Sequence, residues 1–195
     1  MQPGRVLVIG LSPTKNGQVV DGLRALGIDV VGSTEPDTAA QVYDAREFAV
    51  IAFGRAALGP RVEHLKRAFT ERNPHVRFVD AFGPIAVAQV QEALHPRPRA
   101  PALVEARLLT SSGRGRRVTV TVHASCHLTI TLYRQPVDQD VGDLPLLEAN
   151  AAPGRLTLSL PEAELADAYS LVLIANHEEH HHLPFLQQGD WRDRM

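Results

Sequence analysis

At 195 residues, with 44% hydrophobic and 22% charged residues, the chain has the composition of an ordinary globular protein with room for one large or two small domains. A formal net charge of -2 removes any general attraction to nucleic acid or to an anionic membrane surface. The one cysteine, Cys126, excludes an intramolecular disulfide framework and suits a reducing compartment.

Met1 to Arg5 leads straight into an apolar strand without a signal-peptide pattern, and no apolar run reaches membrane-spanning length. The expectation is a cytoplasmic protein with neither a membrane nor a nucleic-acid partner.

Residues 1–95 read as alternating strands and helices. Arg5-Val-Leu-Val-Ile-Gly10 is a continuous apolar run of the kind a strand buried on both faces requires. Val19, Val20, Leu23 and Leu26 then share one helical face, and Gly27 stands where a left-handed helix end wants glycine. Ile28 to Gly32 forms the second strand. Asp37 caps a short helix running to Arg46, and Phe48 to Phe53 makes the third strand. Pro60 opens a helix with Val62, Leu65 and Phe69 as its buried stripe, closed by Asn73-Pro74. Val76 to Val79 and a helix from Pro84 to Leu94 complete the unit. Such alternation predicts a parallel sheet with right-handed crossovers.

The opening Arg5-Val-Leu-Val-Ile-Gly10, with Gly17, Leu23 to Gly27 and Asp29-Val-Val-Gly32, resembles the first βαβ of short-chain dehydrogenase-type Rossmann proteins. The pattern departs from that family at Pro13, which stands where backbone amides should approach a pyrophosphate, and no Tyr-x-x-x-Lys pair follows. The alternation is also similar to response-regulator receiver domains. Here the first strand lacks their acidic pair, and Phe53-Gly54 occupies the place of the phosphate-accepting aspartate. Either resemblance puts a ligand beyond the carboxyl ends of the strands, at a rim of Ser12, Thr14, Lys15, Asn16, Ser33, Thr34, Arg55, Asp80 and Gly83. Ser12, Thr14, Lys15 and Asn16 are its cofactor-binding candidates, with Lys15 meeting a phosphate. The broken fingerprint argues against a nucleotide and leaves a scaffold.

His95-Pro-Arg-Pro-Arg-Ala-Pro101 alternates proline with arginine and reads as an extended spacer over residues 96–101. From Leu103 the hydrophobic period becomes two: Val118, Val120 and Val122 alternate with polar residues, as do Leu128, Ile130 and Leu132, and Leu156, Leu158 and Leu160. Further strands fall at residues 104–109, 144–148, 169–175 and 183–186. The pattern resembles an immunoglobulin- or fibronectin-like β-sandwich over residues 102–188, followed by a polar tail over 189–195 that carries Trp191. Leu165 and Tyr169 are similar to the tyrosine corner of that family. Arg114, Arg116 and Arg117 read as a solvated basic turn, and Glu162 and Glu164 serve the start of a helical turn after Pro161.

Six of the nine histidines lie on two short stretches, His123-Ala-Ser-Cys-His127 and Asn176-His-Glu-Glu-His-His-His182. In an immunoglobulin-like sandwich these two connections emerge at one end. His123, His127, His177, His180 and His182 are therefore the metal-ligand candidates, with Cys126, Glu178 and Glu179 nearby. Neutral imidazoles suit zinc, copper or iron, and clustered ones also titrate near neutral pH. Ser125 beside two histidines defines no nucleophilic triad, since triads are set by geometry.

Three functions follow. The first is a non-catalytic binding or accessory protein offering a surface to a protein or peptide. The second is a small metalloprotein using the histidine-bearing loops. The third is a dinucleotide-dependent reductase with an atypical phosphate loop. Oligomeric state stays open.

Overall fold

The computed structural model describes residues 4–54, 60–96, 101–110, 115–134, 142–161, 165 and 168–185. Arg55, residues 97–100 of the spacer, Arg114, Glu162, Glu164, Trp191 with its tail and the side chain of Tyr169 lie outside the described set. The chain divides into two compact units, Met1–Pro98 and Arg99–Met195. No helix among the described residues is long and apolar enough to cross a membrane.

In the first unit, β1 (Arg5–Ile9), α1 (Pro13–Ala25), β2 (Val30–Ser33), α2 (Pro36–Val42), β3 (Phe48–Gly54), α3 (Pro60–Arg72), β4 (Arg77–Ala81) and α4 (Ala86–Leu94) follow one another. The strands pair in parallel in the order β2-β1-β3-β4. Alternate residues of β1 explain its unbroken apolar run. Val6 and Val8 meet Val20 and Leu23 of α1 and Val90 of α4. Leu7 and Ile9 meet Ala39 of α2 and Val62, Leu65 and Phe69 of α3. Both faces of the sheet are thus covered, and each buried Leu, Ile or Phe contributes roughly 1.5–3 kcal/mol.

Local chemistry sets the helix ends, with two differences from the sequence pattern. α1 begins at Pro13, ahead of the apolar face that opens at Val19: Ser12 Oγ accepts from Lys15 N at 3.4 Å, and Pro13 takes the first-turn position, where no amide is needed. Gly27 then takes φ +74°, the left-handed end that its position implies. Asp37 is not a cap. α2 starts at Pro36, with Asp37 in its first turn, and the chain turns extended at Tyr43, which ends the helix. Ala45–Glu47 forms a separate 3-10 turn capped by Asp44.

The second unit consists of β5 (Val104–Thr110), β6 (Gly115–Val122), β7 (Cys126–Arg134), β8 (Gly142–Ala151), β9 (Gly154–Pro161), β10 (Ala168–Ala175) and β11 (Glu179–Pro184). They form two antiparallel sheets, ordered β5-β6-β9 and β11-β10-β7-β8. Val118, Val120 and Val122 of one sheet share a single core with Leu128, Ile130, Leu132, Leu171 and Leu173 of the other. Polar residues of the same strands alternate outward.

Two contacts tie β11 to the three-stranded sheet. At its start, Glu179 accepts from the amides of Leu103 at 2.7 Å and Val104 at 3.1 Å. Just past its end, the Phe185 carbonyl accepts from Arg116 Nη1 at 2.7 Å, and the guanidinium sits 5.1 Å from the Phe185 ring centroid. Arg116 is therefore turned inward, while Arg117 is exposed on the opposite face. Strand alternation splits what reads in sequence as one basic turn.

Candidate functional site

The rim of the parallel sheet holds the first group of candidates. Thr14 and Lys15 are exposed, and Ser12 serves the helix cap. Asn16 is different. Its side chain is buried, and Nδ2 donates to Val8 O of β1 at 3.2 Å and to Ser33 O of β2 at 2.9 Å. Gly32 leaves room for this group: a Cβ there would lie 2.4 Å from Asn16 Oδ1. The carboxamide thus fills the space between the carboxyl ends of β1 and β2 and satisfies two backbone carbonyls.

The other rim residues are similarly engaged. Ser33 Oγ accepts from Glu35 N at 3.3 Å, Thr34 is half-buried, and Gly83 opens a 3-10 turn. Asp80 lies 3.0 Å from Lys66 Nζ, which also reaches Glu63 at 3.3 Å and the face of Phe53 at 5.9 Å. Burial pulls the Lys66 ammonium downward, but the two carboxylates outweigh it and raise its pKa.

The histidines divide by strand parity and sheet. His127 opens the outward series of β7, and Asn176 binds it from the next hairpin: His127 N donates to Asn176 Oδ1 at 2.8 Å, and Asn176 N donates to His127 O at 2.8 Å. This clamp brings the rings of His127 and His177 into a stack, centroids 5.3 Å apart and planes 23° from parallel. His127 Nε2 lies 3.8 Å from Glu148, and its Nδ1 is buried with no hydrogen-bond partner.

The remaining candidates do not join this pair: His123 is on the other sheet, and His180 and His182 share the outward face of His127 but lie on β11, with β10 between them and β7. His123 follows β6, belongs to the outer face of the other sheet, and sits 3.6 Å from Glu105. A three-residue connection cannot bring His123 and His127 together when their outward faces are on opposite sides. The hairpin turn is shorter than the histidine run implies. Asn176 and His177, at φ 49° and 60°, make the bend, Glu178 N closes it on Ala175 O at 3.1 Å, and pairing resumes at Glu179. His180 and His182 therefore lie within β11 rather than in the turn before a later strand. His180 is paired with Ile174, roughly 10 Å across two strand spacings from β7. His182 Nε2 is hydrogen-bonded to the fully buried Ser170 Oγ. Among the described residues no group of three or more His, Cys, Asp or Glu side chains is placed to hold a metal ion.

His181 has the opposite parity and an engagement its neighbours lack. Its Nε2 lies 2.6 Å from Glu179 Oε1, so the carboxylate that receives the Leu103 and Val104 amides is also met by an imidazole. Burial disfavours charge on Glu179, but the bonds from His181, Leu103 and Val104 prevail and hold its pKa below 4.5. A carboxylate at an inward-facing strand position needs such donors, and that parity is the one signal in the sequence that marks Glu179. Cys126 is buried, and burial together with the Glu179 charge raises its pKa, which disfavours the nucleophilic thiolate.

No protein-family model matches the chain, and no curated protein matches it. Among solved structures, the chain is similar to catalytically inactive OgpA from Akkermansia muciniphila in complex with an O-glycopeptide substrate, glycodrosocin. That likeness has 10% identity and a TM-score of 0.29, over 94% of this chain and 92% of that one. It is also similar to the β-glucosidase EmGH1 from Erythrobacter marinus, at 11% identity and a TM-score of 0.31, over 94% of this chain and 46% of that one. Likenesses this loose assign neither a fold nor a chemistry.

Proposed function

We propose that the chain is a non-catalytic binding or accessory protein. A degenerate Rossmann-like unit serves as scaffold, and an immunoglobulin- or fibronectin-like sandwich offers a surface to a protein or peptide. Asn16 carries this proposal. Its carboxamide packs between the ends of β1 and β2 and is committed to the carbonyls of Val8 and Ser33, which supports a scaffold role because the group is then engaged within the fold rather than offered to a cofactor. The three-strand sheet β5-β6-β9 and four-strand sheet β11-β10-β7-β8 around one core favour the sandwich, whose outer faces are the natural binding surfaces. Purified protein supplied with NADH or NADPH and a panel of carbonyl compounds is expected to show no turnover, while a displayed peptide library yields saturable binders. Turnover, or a library without any saturable binder, overturns the proposal.

A second reading, metal carriage at the His127–His177 pair, is favoured by one observation: His127 Nδ1 is buried beside a second imidazole and without a partner. Two imidazoles make half of a tetrahedral site. Elemental analysis of untagged protein tests it, and the absence of stoichiometric zinc, copper or iron rejects it.

A further inference from the structure

The outer face of the three-stranded sheet carries a charge pattern that folding does not require. Its cross-strand rows are Glu105–Thr121–Arg155, Arg107–Thr119–Thr157 and Leu109–Arg117–Ser159. The alternate residues Val118, Val120 and Val122 fill the core, so the three rows stand on the side away from it. Arg107, Arg117 and Arg155 are exposed, and among the described residues none of the three has a hydrogen-bond or ion-pair partner. Glu105, the face's one carboxylate, lies instead beside His123 at 3.6 Å. Each row thus holds one uncommitted guanidinium; Thr121, Thr157 and Ser159 fill other positions of the rows, and Thr119 at the centre is buried.

Successive rows on one face of a strand are two residues apart, or roughly 6.6–6.8 Å. We propose that this face docks an extended acidic segment of a partner protein whose carboxylates fall at alternate positions, i, i+2 and i+4. Same-side side chains of an extended peptide repeat at that same interval, so a segment lying along the strands offers one carboxylate to each row. Guanidinium forks suit carboxylates, and arginine reaches far enough to cover its lateral offset between strands. Leu109, 45% exposed in the last row, supplies an apolar contact at one end. Nucleic acid fits less well: the three rows present no aromatic ring for stacking bases, and a chain of net charge -2 repels a dense polyphosphate. The proposal rests on the binding-protein reading and names the partner's chemistry.

Fluorescence anisotropy on the full chain tests it with labelled peptides of equal length. The probes are an alternating Glu-Ser repeat, a peptide of the same composition with its glutamates in one block, and a Gln-Ser repeat. A heparin oligosaccharide and a DNA duplex are run beside them. The variants are the triple Arg107→Ala, Arg117→Ala, Arg155→Ala and a control, Arg24→Ala, Arg67→Ala, on exposed positions of α1 and α3. The alternating peptide is expected to bind more tightly than the block or glutamine peptide, to weaken with salt, and to lose roughly tenfold in the triple variant but not in the control. Equal binding of the alternating and block peptides, or an unaffected triple variant with a wild-type unfolding midpoint, overturns the proposal. Tighter binding of heparin or DNA that is lost in the same variant also overturns it. A library-selected peptide that still binds the triple variant defeats this surface while the binding-protein reading survives; cofactor turnover defeats that reading itself.

Discussion

The imidazole of His177 stacks on that of His127 at 5.3 Å, and it is held there by a backbone that histidine does not favour. Asn176 and His177 both have positive φ, the conformation of a type I′ bend in which Asn-Gly is the preferred pair. Replacing His177→Gly is expected to stabilise the unit by about 1 kcal/mol, because the left-handed penalty is removed and the ring it sacrifices is exposed. His177→Ala keeps the penalty, loses the ring and should be neutral or destabilising. Urea unfolding of the two variants separates these effects. A destabilised His177→Gly would show that the ring contact outweighs the strain.

Glu179 joins β11 to β5 through the amides of Leu103 and Val104. Glu179→Ala leaves two buried-side donors without an acceptor and is expected to cost roughly 2–4 kcal/mol, while Glu179→Gln, which keeps one carbonyl, costs less. The folded carboxyl is held below 4.5, lower than in the unfolded chain, so the unfolded state binds more protons in that range. Its contribution is full above the ordinary carboxylate range and is lost as pH falls through the lowered folded pKa. The stability gap between wild type and Glu179→Gln, followed by denaturant melts from about pH 7 to about pH 3, should narrow in acid.

Arg116 and Arg117 are adjacent and should behave as opposites. Arg116→Ala removes the bond to Phe185 O and the cation over its ring, an expected loss of about 1.5–3 kcal/mol. Arg117→Ala, on the exposed face, should stay within about 0.5 kcal/mol of wild type. Thermal or urea melts of the two single variants check the contrast.

Asn16→Asp should be the most damaging conservative change in the first unit. It replaces a donor shared by two carbonyls with a group that only accepts, whereas Asn16→Ala removes that donor and leaves a small void, with Ser33 O still accepting from Gly10 N. Expected losses are about 3 kcal/mol or more for aspartate and about 2 kcal/mol for alanine, read from unfolding midpoints.

The strands and helices were largely legible because a strand covered on both faces needs an unbroken apolar run, as Val6 to Ile9 illustrates, and one covered on a single face needs alternation, as Val118 to Val122 illustrates. The neighbouring helix ends were less so: Pro13 reads as an obstacle to a phosphate loop when it is a first helical residue, and Tyr43 gives no sign of breaking a helix. The meeting of His127 with His177 followed from antiparallel pairing of β7 with β10. His123 separates from the others by sheet membership. His180 and His182, which share the outward face of His127, stay apart from it because β10 lies between β11 and β7, an arrangement that spacing alone does not fix. Contacts such as Glu179 with Leu103, 76 residues apart, and Arg116 with Phe185, 69 apart, depend on how the two sheets are stacked and have no local signature.

Calorimetric titration of the full chain with NADH, NADPH and FAD tests most directly whether Asn16 has made the first unit a scaffold. No saturable heat, and no rise in unfolding temperature as each ligand is increased, is the predicted result. Saturable binding accompanied by a concentration-dependent rise in that temperature would contradict it.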